Sequence, residues 1–155
     1  MERRRRTGTE SAKDTLVERA GRSVMHWASD LLDLDHEAAV DSRSEFERSV
    51  QEGSETCLVV AQFTAPWCKA CDAIASNMAS IRRTHGDVRF IKVDASLTGP
   101  GLCRDLGVKK LPWFQIYHTP AEPAAEPALV VNVHANKRNQ KLLSRQLEQL
   151  KRKLT

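Results

Sequence analysis

The segment CLVVAQFTAPWCKACDAI, residues 57–74, restricts the architecture more than any other part of the chain. Its first residues form an apolar, β-branched run that reads as a buried strand. Pro66 and Trp67 interrupt that run, and from Cys68 onward the composition favours a helix. A strand that passes through a short loop into a helix carries two cysteines, two residues apart, at the helix start.

That position gives the two sulfurs different chemistry. The first faces the unpaired N–H groups and the positive end of the helix, which favour a thiolate near neutral pH. The second lies one turn on, close enough to attack a mixed disulfide formed by the first. On this reading Cys68 is the attacking thiolate and Cys71 the resolving thiol. A C-x-x-C pair alone also fits half of a metal site, or two small buried side chains. Zinc needs four ligands, usually two such pairs or a pair with spaced histidines. Cys57 and Cys103 do not form a second pair, and His26, His36, His85, His118 and His134 lack ligand spacing. No metal and no bound cofactor is therefore expected.

A chain of 155 residues suits one well-packed domain. No stretch approaches the roughly 20 apolar residues of a membrane span. Much of the net charge of +4 sits in RRRR at residues 3–6 and KRK at residues 151–153. These read as solvated ends rather than a nucleic-acid surface. Four cysteines without a dense framework point to a reducing compartment. The N-terminus lacks the apolar segment of a secretory signal, and Glu2, Glu10, Asp14 and Glu18 count against a transit peptide.

In chain order, residues 1–40 read as a basic tail followed by an amphipathic helix. Its apolar stripe is Leu16, Ala20, Val24, Trp27, Leu31 and Leu34. Ser44 and Glu47 form a capping-box pattern for the next helix. Residues 57–63 read as a strand and the segment from Cys68 to about residue 84 as one helix. Residues 88–94 alternate as a half-buried strand, and a short helix is expected over 101–106. Strands over 111–118 and 128–133 flank a proline-rich loop, and a closing helix from about 139 carries Leu143, Leu147, Leu150 and Leu154. The expected fold is α/β, a mixed sheet of four to five strands with helices on both faces and an N-terminal helical extension.

FTAPWCKACDAI, VRFIKVDAS, LGVKKLPWFQIYH and ALVVNV, in this order and spacing, resemble a thioredoxin from about residue 41 to the C-terminus. LCRDLGVKKLPWFQIYH is similar to the atypical Cys/His-rich thioredoxins of plant and algal chloroplasts. The resemblance implies a thioredoxin-like domain over 41–155 and a thiol–disulfide oxidoreductase acting on protein disulfides. It implies a cis Pro112 facing the cysteine pair, and a docking surface of Trp67, Leu111 and Pro112. Electrons are expected from a reductase, or to flow onward to a peroxiredoxin. The chloroplast stroma is the compartment implied, with the cytoplasm as alternative.

The chain departs from the family at three places. Lys69-Ala70 stands between the cysteines where Gly-Pro is usual. Gln62 and Phe90 occupy the places of an aspartate and a lysine that assist the resolving cysteine, so slower resolution is expected. These departures keep a rival reading open: a thioredoxin-fold structural or regulatory subunit of a larger assembly, an organellar one for instance, held through the N-terminal helix. Cys103 reads first as a packing thiol and second as a regulatory one.

Overall fold

The protein is described from a computed structural model, over residues 37–122 and 124–154. The basic tail and the amphipathic helix expected over 16–34 lie outside the described residues.

In chain order the elements are β1 (Glu37–Val40), α1 (Arg43–Ser54), β2 (Val59–Thr64), α2 (Lys69–Asp72) and α3 (Ala75–Thr84). They continue with β3 (Arg89–Asp94), α4 (Gly99–Asp105), β4 (Trp113–His118), β5 (Ala128–His134) and α5 (Lys141–Leu154). The strands form one five-stranded sheet in the order β1-β3-β2-β4-β5. β1, β3 and β2 run parallel, β4 is antiparallel to β2, and β5 is antiparallel to β4. The sheet takes in Glu37–Val40, which the sequence reading placed in the extension.

β2 is buried along its whole length, which is why its sequence is a nearly unbroken apolar run. Its side chains alternate between two cores. Val59, Ala61 and Phe63 pack with Phe46 and Val50 of α1 and Leu102 of α4. Val60 faces the other side, with Met78 and Ile81 of α3 and Leu143 and Leu147 of α5. Helices therefore cover both faces. Each leucine fully buried on α5 contributes about 1.5–3 kcal/mol of hydrophobic stabilisation.

Two local features differ from the sequence reading. The cap of α1 is Ser42, whose Oγ accepts the Glu45 N–H at 3.4 Å, not Ser44. The Glu45 carboxylate in turn accepts the Asp41 N–H at 3.4 Å, and the Phe46 N–H already bonds the Ser42 carbonyl at 3.0 Å. The helix expected from Cys68 to residue 84 is divided. The Ile74 N–H bonds the Cys71 carbonyl only three residues back, at 3.2 Å, before the regular pattern resumes with Met78 N–H to Ile74 C=O at 2.9 Å. Ile74 is fully buried at this break, which turns its side chain into the core beneath the sheet.

α4 stops at Gly107, whose φ of +71° is the left-handed conformation glycine adopts without a Cβ clash. Val108 N–H bonds Cys103 C=O at 2.8 Å and Gly107 N–H bonds Arg104 C=O at 3.1 Å, a Schellman ending. The turn sends residues 109–112 back toward the end of β2. Among the described residues no helix is long and apolar enough to cross a membrane.

Candidate active site

At the C-terminal end of β2 the chain leaves the sheet at Thr64, buries Ala65, and exposes Pro66 and Trp67. The Cys68 N–H bonds the Ala65 carbonyl at 3.0 Å, which turns the backbone into α2. Cys68 is the extended N-cap of that helix, and its Sγ accepts the Cys71 N–H at 3.2 Å. Cys68 and Cys71 are joined in a disulfide, their Cα atoms 5.3 Å apart.

The cystine packs with Ala65 and against Leu111. The Leu111–Pro112 peptide is cis, as the resemblance implies, and Pro112 is buried. The fold thus brings Cys68, Cys71 and Leu111 together from segments some forty residues apart in sequence. Trp67, immediately before the pair, is 72% exposed and free of that packing. Attack on a substrate disulfide calls for an accessible first sulfur. In the disulfide Cys68 keeps 5% of its surface and Cys71 6%, because Ala65 and Leu111 cover them. Since α2 is a single turn, the help Cys68 receives is the local N–H of Cys71 rather than the dipole of a long helix.

Behind Cys71 lies a cavity of about 100 Å³ lined by Gln62, Asp72, Arg82 and Lys92 among others. The Arg82 guanidinium donates to Gln62 Oε1 at 2.9 Å and stands 5.9 Å from the Phe90 ring centroid. Sequence reasoning missed Arg82 and Lys92. Their only signal was the pair of uncharged residues at 62 and 90, which left acceptor and ring surface for a cation.

The remaining cysteines stand apart from the pair. Cys103 packs against the core that α1 and α4 share, and burial pushes its thiol up from the ordinary value. It is protonated at neutral pH, as befits a packing thiol. Cys57 sits beyond α1 with Sγ 3.4 Å from the Gly53 carbonyl. Among the described residues no three His, Cys, Asp or Glu side chains are grouped to hold a metal ion.

The sequence profile of the family described as Thioredoxin matches residues 37–143. The chain belongs to the thioredoxin family. Thioredoxin-1 of Schizosaccharomyces pombe is 36% identical over 78 residues, half of this chain and 72% of that protein. "Thioredoxin-like 2-2, chloroplastic" of Arabidopsis thaliana is 32% identical over 78 residues, and the match spans 32% of its length. The thioredoxin of Trypanosoma brucei brucei superposes with a TM-score of 0.60 at 29% identity, covering 75% of this chain and 91% of that one. The five-stranded mixed sheet is this chain's counterpart of the fold in that solved structure.

Proposed function

We propose that this thioredoxin is a thiol–disulfide oxidoreductase for protein disulfides. Cys68 attacks, Cys71 resolves, and Trp67, Leu111 and Pro112 form the docking surface. The observation that carries this reading is the cystine itself, at the mouth of α2 and packed against Leu111. A reversible bond between these sulfurs is what the reaction makes and breaks. In the reducing direction the Cys68 thiolate attacks one substrate sulfur, forming a mixed disulfide and releasing the other as thiolate. Cys71, once deprotonated, attacks Cys68 Sγ. The substrate's second sulfur leaves with the electron pair, takes a proton from solvent, and the cystine remains.

Trp67 and the Leu111 backbone offer an apolar ring and a bend of main chain to an incoming strand. Lys69, Lys109 and Lys110, all exposed around the pair, favour substrates with acidic residues beside the disulfide. Electrons enter from a reductase or leave to a peroxiredoxin. Chloroplastic names among the relatives support a chloroplast location; the stroma within it is our own reading.

Turnover of insulin disulfides with dithiothreitol tests the reading. The wild type should accelerate reduction and Cys68→Ser should abolish the acceleration, while Cys71→Ser should accumulate mixed disulfides. Equal rates for wild type and Cys68→Ser would overturn it and leave the assembly role.

A further inference from the structure

β4 lies between β2 and β5 and is buried from Phe114 to Tyr117, yet it carries an amide there, on Gln115. Trp113, Gln115 and Tyr117 alternate onto the face that α1 and α4 cover. An amide sealed in such a core is costly unless each polar atom is bonded. Both polar atoms of Gln115 are. Its Nε2 donates to the Leu106 carbonyl at 2.8 Å and to Asn132 Oδ1 at 3.4 Å, and its Oε1 accepts the Tyr117 hydroxyl at 2.7 Å. A carbonyl can only accept, so the Leu106 bond decides which end of the amide points where. Leu106 is the C-cap of α4. The Schellman bonds take up the Cys103 and Arg104 carbonyls, and the Leu106 carbonyl is met from β4. That bond closes the chain from residue 106 to residue 115 around Lys109, Lys110, Leu111 and Pro112. The exit of the same loop is tied as well. Trp113, directly after Pro112, donates its indole N–H to Asn132 Oδ1, the atom that also accepts from Gln115. Asn132 of β5 and Ala61 of β2 stand in register with Gln115 on either side, so the sheet holds the anchor itself. Residues 107–112 hang between two ends that meet at one buried side chain.

We propose that Gln115, together with Asn132, is a positioning residue for the docking loop, setting where Leu111 and the cis Pro112 stand relative to the cysteine pair. The inference rests on the proposed docking surface and oxidoreductase function. Gln115 is fully buried, so it meets no substrate and exchanges no proton. It acts through the main chain of residues 107–112, which ends in the leucine packed on the cystine. An incoming strand then meets a bend already in place, and binding does not have to order it. Loosening the anchor should therefore weaken substrate binding more than it slows exchange.

Nicking of the folded protein by a lysine-specific protease, read by mass spectrometry, tests the anchor directly, because Lys109 and Lys110 lie in the loop. Gln115→Met keeps the length of the side chain and removes the bonds it makes. It should raise cleavage after Lys109 and Lys110 about tenfold and leave cleavage after the exposed Lys137 unchanged. In insulin reduction its KM should rise about three- to tenfold, with kcat within about twofold. Tyr117→Phe lowers stability without cutting the Leu106 bond, and both readouts should stay within about twofold of wild type. Asn132→Ala, at an exposed residue, should raise loop cleavage about threefold. Unmoved loop cleavage in folded Gln115→Met overturns the proposal, and so does an equal rise in Tyr117→Phe. Where Gln115→Met does not fold, unmoved cleavage in Asn132→Ala overturns it. Insulin reduction by the wild type separates the two readings. An inactive wild type with faster loop cleavage in Gln115→Met retires the oxidoreductase and keeps the anchor; an active one with unmoved cleavage does the reverse.

Discussion

Gly53 has no room for a methyl group. A Cβ there would lie 2.7 Å from Val59 Cγ2 and 2.8 Å from Arg89 Cδ. The arginine can swing aside, but Val59 is fully buried in the central strand and cannot. Gly53→Ala should therefore cost about 1–3 kcal/mol in urea unfolding, as over-packed cores do. Cys103 supports a second expectation. With its thiol pushed above the ordinary value by burial, it should alkylate far more slowly at pH 7 than a solvated thiol, and the rate should climb with pH. Neither constraint is written in the residue type. Gly53 reads as an ordinary helix residue, and Cys103 as a free thiol with two open roles. Cys68 and Cys71, by contrast, were legible, because strand, loop and helix start are all local to them. Arg82 was not: it meets Gln62 twenty residues away, and nothing in helical periodicity marks a side chain that reaches back over a strand.

At the scale of elements, the ending of α4 aims the chain at the site. Gly107→Ala forces a side chain into the left-handed region at φ +71° and should cost about 1 kcal/mol. Because residues 109–112 follow directly, the same change should slow insulin reduction more than it lowers the midpoint of thermal unfolding would explain. Most elements were readable from apolar spacing, and the failures have physical causes. Ser42-x-x-Glu45 and Ser44-x-x-Glu47 overlap as cap patterns, and the choice fell to the turn that Phe46 closes onto Ser42. Cys71, Ile74, Met78 and Ile81 keep helical spacing straight across the break between α2 and α3, so the break was invisible. β1 is four residues, two of them alanine, and becomes a strand only by pairing with β3 some fifty residues later.

For the molecule as a whole, His85 links pH to stability. It is 0% exposed, at the turn that joins α3 to β3, and it faces α5. The Lys151 ammonium can only donate, so the 3.0 Å contact makes His85 Nδ1 the acceptor and leaves the proton on Nε2, 3.0 Å from Ser144 Oγ. Burial first, and the Lys151 charge second, hold this histidine below the ordinary value, against the opposing Glu148 and Asp87 carboxylates. The unfolded chain therefore takes up a proton that the folded chain refuses. Stability should be complete above about pH 6.5 and fall as the pH drops through that value. Urea midpoints at pH 7.5 and 5.5 check the slope, and His85→Gln should flatten it while lowering stability at both.

β5 closes one side of the sheet, and among the described strands only β4 pairs with it. Leu129 and Val130 are exposed on that strand. An open row of backbone donors and acceptors beside greasy side chains is an invitation to self-association. Concentrating, freezing and long storage will strain a sample of this protein at that margin, and a lysine in place of Val130 is the simplest safeguard.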